Sequence, residues 1–358
     1  MADRIRVGMI GAGWMGQVHA RSWVANAPRG EIVAVTDVSS ARGHALSDEH
    51  TAGKARVYAT VDELLTDMSV DAVDIVLPHH LHFDAIVAAA SAGKHVFCEK
   101  PLCLSFDEAR EIKRVIDQTG VTLVCAHNNL FQLPMIEAGR MIADGVLGRL
   151  FQIESYEMER NEGLRSRRAP VRLATGESSF GWRLDPKRMG GAELLDTGWH
   201  GFYRLLALAD SRPVEVVAML GNHLLKELGD GEDTGHVLVR FASGMQGMML
   251  TSWAFAGDPG AWQFRVAGEN GTIAGNVTRL VHATHGWSSA RPAEREWKTT
   301  HAESYMREVT HFLDVLLDGV SSKASWEHAV RTLQIVKGAY LSAAERRVVT
   351  LPEDPLTL

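Results

Sequence analysis

The chain has 358 residues, of which 46% are hydrophobic and 23% charged, with a formal net charge of -7. The length favours two domains over one, and the acidic balance argues against nucleic acid as a partner, which would call for a basic face. Three cysteines (Cys98, Cys103, Cys125) without CxxC spacing argue against a disulfide framework or a zinc cluster and fit a reducing cytoplasm, and no run reaches the roughly 20 apolar residues of a membrane helix.

Taken in order, the first third alternates short Val- and Ile-rich runs with helical patterns. Strands are expected over 5–10, 31–37, 71–78, 95–100 and 122–127, with helices such as 61–67, 82–92 and 105–118 between them. Ser105 followed by Glu108 reads as a capping box. This βαβ rhythm predicts a doubly wound parallel sheet over residues 1–127, the nucleotide-binding domain of an α/β protein.

The first strand runs into Gly11-Ala12-Gly13-Trp14-Met15-Gly16. A GxGxxG alone says little. Here it follows a strand, opens a helix and precedes Asp37 at the end of the second strand, which is the context of a dinucleotide site. Gly11 permits the tight turn, Gly13 lets a pyrophosphate approach the backbone, and Gly16 lets helix and strand pack closely. Trp14 and Met15 sit on the helix N-terminus, whose amides and dipole favour an anion. Asp37 is placed to accept hydrogen bonds from a ribose and so favours NAD, while Arg42 nearby keeps NADP as a second option.

Two more strand ends point to the same edge of the sheet. One is Leu77-Pro78-His79-His80-Leu81-His82. Three histidines suggest a metal, but no matching carboxylate or cysteine pattern accompanies them, so no metal is expected. Leu77, Pro78, His79 and His82 are read instead as a loop lining the nicotinamide. The other end is Glu99-Lys100-Pro101, which places Glu99 at the cofactor and Lys100 near both the nicotinamide and the reacting oxygen.

From residue 128 the pattern changes to a second α+β domain. A helix is expected over 134–144, an alternating strand over 149–160, and a polar loop over 161–181. A helix through GAELLDTGWHGFYRLL (191–206) follows. Alternating runs after residue 213 predict a large, mostly antiparallel sheet, and two helices, 303–318 and 326–345, come last. Glu193, Asp196, His200 and Arg204 recur at helical spacing, a polar stripe on an apolar helix. Gly198 and Gly201 would let neighbours approach it closely. Imidazole has an ordinary pKa near neutrality, so His200 suits a general base, and Asp196 shares its face. Trp182 and Arg183, just ahead of this helix, are candidate substrate contacts. The arginines at 160, 165, 167, 168 and 172 read as a solvated loop or a subunit contact, with binding of a carboxylate or phosphate on an acidic sugar as the alternative.

These motifs together resemble the Gfo/Idh/MocA family of oxidoreductases, over almost the whole chain. The resemblance rests on GAGWMG followed by His19, EKP at 99–101, GGAELLDTGWH at 190–200 and the closing helices. It implies hydride transfer between NAD(P) and a carbinol or ketone of a sugar, cyclitol or related polyol. It also implies a catalytic trio of Lys100, Asp196 and His200, a cis Lys100–Pro101 bond, and a homodimer or homotetramer built through the second sheet. Tyr203 departs from the family, which often has Asp there to hold substrate hydroxyls. Leu77-Pro78-His79 and Asn128 depart as well, all near the substrate or nicotinamide. Two other functions share the cofactor: a glycosidase that uses bound NAD for transient oxidation, and a non-catalytic NAD sensor. The trio argues against the sensor, and no glycosidase-type histidine motif is evident.

Overall fold

The computed structural model describes residues 4–158, 181–255, 262–284 and 292–358. The arginines at 160, 165, 167, 168 and 172 lie outside them. The described chain forms two compact units.

The first unit holds residues up to 128 together with 302–329. Its strands are β1 (Ile5–Ile10), β2 (Gly30–Thr36), β3 (Arg56–Tyr58), β4 (Ala72–Ile75), β5 (His95–Glu99) and β6 (Leu123–Ala126). They form a parallel sheet in the order β3-β2-β1-β4-β5-β6. The order reverses between β1 and β4, and ligands of such sheets bind at the strand ends of that reversal. The short β3 escaped the sequence pattern because three residues cannot show alternation.

Helices α1 (Trp14–Ala25), α2 (Ser40–Thr51), α3 (Val61–Thr66), α4 (His82–Ser91) and α5 (Phe106–Thr119) connect the strands. The capping box of α5 forms: Ser105 accepts the Glu108 N–H, while Glu108 reaches back to the Leu104 N–H at 2.7 Å. A second one, Thr60 with Glu63, starts α3. Residues 302–329 join this unit through several contacts. Arg29 pairs with Asp314 and Asp318, Trp326 donates to the Ala109 carbonyl, and the Cys125 N–H bonds Ala324 O beside β6.

The second unit is built on a nine-stranded sheet ordered β14-β13-β12-β11-β7-β10-β9-β8-β15. In chain order these are Leu150–Met158 (β7), Pro213–Gly221 (β8), Thr234–Phe241 (β9), Gln246–Ser252 (β10), Phe264–Gly268 (β11), Gly271–Gly275 (β12), Arg279–Thr284 (β13), Ala293–Glu296 (β14) and Val349–Thr350 (β15). All pairings are antiparallel except β7 with β10. In β9, Gly235, Val237, Val239 and Phe241 are buried while the residues between them are not, which is the period-two pattern of a sheet with one covered face.

The helix expected over 191–206 begins only at Gly198 and runs to Ala209. Residues 191–197 are turns, because their amides are claimed from outside the segment. Ala192 N–H bonds the Tyr340 hydroxyl at 3.0 Å, Glu193 N–H the Glu232 carbonyl at 3.3 Å, and Leu194 N–H the Glu232 carboxylate at 2.9 Å. The glycines of the helix do allow close packing. A Cβ on Gly201 would lie 2.1 Å from the Met249 methyl, and one on Gly198 would lie 3.3 Å from Thr251.

Candidate active site

In the first unit, the glycine turn separates its three roles physically. Gly11 has φ +106°, and a Cβ there would lie 2.2 Å from the Val76 carbonyl oxygen. A Cβ on Gly16 would lie 2.5 Å from Gly11 O, so α1 presses directly on the turn. Gly13 has nothing within 4 Å of its Cβ position, and it caps α1, whose first turn carries no acid. Open backbone at an unopposed helix N-terminus is what a pyrophosphate requires. Trp14 stands exposed beside it.

Asp37 is engaged within the protein. One oxygen accepts the Ala12 N–H at 2.8 Å; the other accepts the Ser39 N–H at 2.7 Å and the Arg42 guanidinium. Asp37 therefore pins the glycine turn from across β2, and Arg42 is held against it.

Beyond β4, residues His79–Leu81 form a 3-10 turn. His82 is fully buried and ties this loop to the lysine turn: Nδ1 lies 2.7 Å from Pro101 O and Nε2 lies 2.8 Å from Leu77 O. Burial lowers the His82 pKa, and the two carbonyls pull the other way. A neutral ring has one N–H, so it donates to one of these two carbonyls at a time. His79 packs its ring edge against Trp182, with centroids 4.6 Å apart. Lys100 is buried, and its bond to Pro101 is cis. Asn128 is also buried and donates to the Ser304 hydroxyl at 3.1 Å.

Beneath Lys100 lies a charge network that sequence reading did not find. Glu99 accepts the Lys100 N–H at 2.9 Å and lies 3.1 Å from His19 Nε2. The other nitrogen of His19 lies 3.0 Å from Asp74, which also accepts the Trp23 indole N–H at 2.7 Å. Burial alone would lower the His19 pKa; Asp74 and Glu99 on its two edges raise it well above the ordinary value. The available signal was Asp74 itself, an acid amid the apolar run AVDIV. Such a residue has to find a partner indoors.

In the second unit, the polar stripe resolves into separate pairs. Glu193 is fully buried and accepts from the Thr251 hydroxyl, and burial pushes its carboxyl pKa well up. Asp196 lies just before the helix Gly198–Ala209 and pairs with Arg183 at 2.7 Å. His200 sits 2.8 Å from the Tyr203 hydroxyl through Nδ1. Arg204 is buried against Glu157, Ser155 and the Gln263 carbonyl. Asp196 and Arg183 are thus brought together, as are His200 and Tyr203.

Two family models match the chain: an oxidoreductase family model with an NAD-binding Rossmann fold over residues 5–127, and its C-terminal alpha/beta domain over 140–351. The chain belongs to the Gfo/Idh/MocA oxidoreductase family. It is an oxidoreductase, and its first domain binds NAD. Among curated relatives, it is 27% identical to an inositol 2-dehydrogenase of Rhizobium meliloti, over 97% of this chain and 99% of that one. It is 32% identical to a 1,5-anhydro-D-fructose reductase of Ensifer adhaerens over 81% of each. Among solved structures, GenD2 from gentamicin A biosynthesis in complex with NAD matches with a TM-score of 0.79 and 26% identity, covering 98% of this chain and 97% of that one. No helix among the described residues is long and apolar enough to cross a membrane.

Proposed function

We propose that this family member transfers a hydride between NAD and a ring carbinol or ketone of a cyclic polyol, either a sugar or a cyclitol. The observation that carries the reading is the anchoring of His200 Nδ1 by a buried hydroxyl, the arrangement an orienting group gives a general base. Inositol and anhydrofructose, the compounds in the two curated relatives' names, are both cyclic polyols.

His200 takes the hydroxyl proton in oxidation and returns it in reduction. The Lys100 ammonium holds the reacting oxygen and stabilises its alkoxide character. Asp196, set by Arg183, contacts the substrate beside His200. Glu99 and the 77–82 loop shape the nicotinamide end, and the glycine turn with Asp37 holds the adenosine end. Bound NAD supplies the hydride acceptor.

The test is a panel of inositols, aldoses, uronic acids and keto-sugars with NAD or NADP, followed by NADH or NADPH absorbance. Turnover is expected with a cyclic polyol and NAD. Tight NADH binding with no turnover on any member would favour a cofactor sensor instead.

Asp37→Ala is expected to lower kcat/KM with NAD by about tenfold, the loss of roughly one charge-assisted hydrogen bond. It also releases Arg42, so the NAD-over-NADP ratio should fall further than the NAD value alone. An unchanged ratio in steady-state assays with both cofactors would refute the ribose assignment.

A further inference from the structure

The hydroxyl of Tyr203 is engaged inside the protein. The side chain is fully buried. Its Oη accepts the Asn129 backbone N–H at 3.1 Å and lies 2.8 Å from His200 Nδ1. Asn129 is itself held, since its side-chain oxygen accepts from Gln132 Nε2 at 2.8 Å. The Tyr203 and His200 rings meet at 73° with centroids 5.5 Å apart, an edge contact that fixes both ring planes.

A phenol has one proton to give and lone pairs to receive. The Asn129 N–H can only donate, so it takes a lone pair of Oη. The bond to His200 then has two settings. If the phenol proton points at Nδ1, a neutral imidazole carries its hydrogen on Nε2 and can donate it. If Nδ1–H points at Oη, Nε2 presents a lone pair and can accept. A carboxylate at this position would allow only the second setting. The phenol allows both, with no movement of heavy atoms.

We propose that Tyr203 is a positioning residue that fixes the ring of His200 and sets the balance of its tautomers, and that it is not a substrate contact. This rests on the reading of His200 as the proton-exchanging group. The sugar or cyclitol is then selected by other residues.

The experiment is ¹⁵N NMR of the histidine side chains in the full chain, with the His200 signals assigned by their loss in His200→Gln. Tyr203→Phe is expected to shift the His200 Nδ1 resonance, and in turnover assays to lower kcat about tenfold or more while KM stays within about twofold. Should Tyr203→Phe not fold, 3-fluorotyrosine placed at 203 keeps the packing and makes the phenol a stronger donor. It is expected to move the same resonance. An Nδ1 resonance unmoved by either replacement overturns the proposal, as does a raised KM with kcat retained. The NMR readout needs no substrate. A shifted resonance together with an active His200→Ala enzyme would therefore refute the base assignment while leaving the Tyr203 coupling intact.

Discussion

Replacing His200 with alanine is expected to lower kcat by about a hundredfold to ten-thousandfold, the usual contribution of a positioned general base. The fold should survive, because His200 is only partly buried and its neighbour Tyr203 keeps its bond to the Asn129 amide. NADH affinity should stay near the parent value, since the glycine turn and Asp37 belong to the first unit. The pair of measurements is an initial-rate assay on the best cyclic polyol and a fluorescence titration with NADH. Parent-like turnover with parent-like NADH binding would remove His200 from the mechanism. Loss of both would mean that the substitution had damaged the fold and that the assay reported stability.

The parts of this protein that were legible from sequence are those that local rules dictate. Buried parallel strands need continuous Val and Ile, and a pyrophosphate turn needs glycine where a Cβ would strike Val76 O. Ser105 and Glu108 announce a helix start. All three follow from spacing within a few residues. The errors occurred where distant partners decide the outcome. Glu193 and Asp196 fit a helical stripe, yet Tyr340 and Glu232 take the amides of that segment and delay the helix to Gly198. Arg183 is 13 residues from Asp196, and the Asn129 amide is 74 residues from the Tyr203 hydroxyl. No periodicity reports such pairs. Tyr203 stands out in the sequence as a departure from the family pattern, but which side of His200 it serves depends on geometry alone.

The buried network under Lys100 gives the largest expected effect on stability. Asp74→Ala should destabilise the first unit by about 3–5 kcal/mol, because it strands the Trp23 indole in the interior and leaves His19 with one acid in place of two. Asp74→Asn should cost less, since its amide oxygen can still accept the indole N–H. The sign of the pH dependence follows from His19. Its folded pKa is raised above the unfolded value of about 6.5. The stability it contributes is therefore fully present below that value and is lost as pH rises through the folded pKa. Glu308 cannot take over as the counter-charge. Burial drives its carboxyl pKa well up, and the pull of His19 opposes that only in part. The gap between parent and Asp74→Asn in urea unfolding should thus be widest near pH 6 and narrow toward alkaline pH. A gap that held constant with pH would mean that Asp74 does not set the His19 pKa.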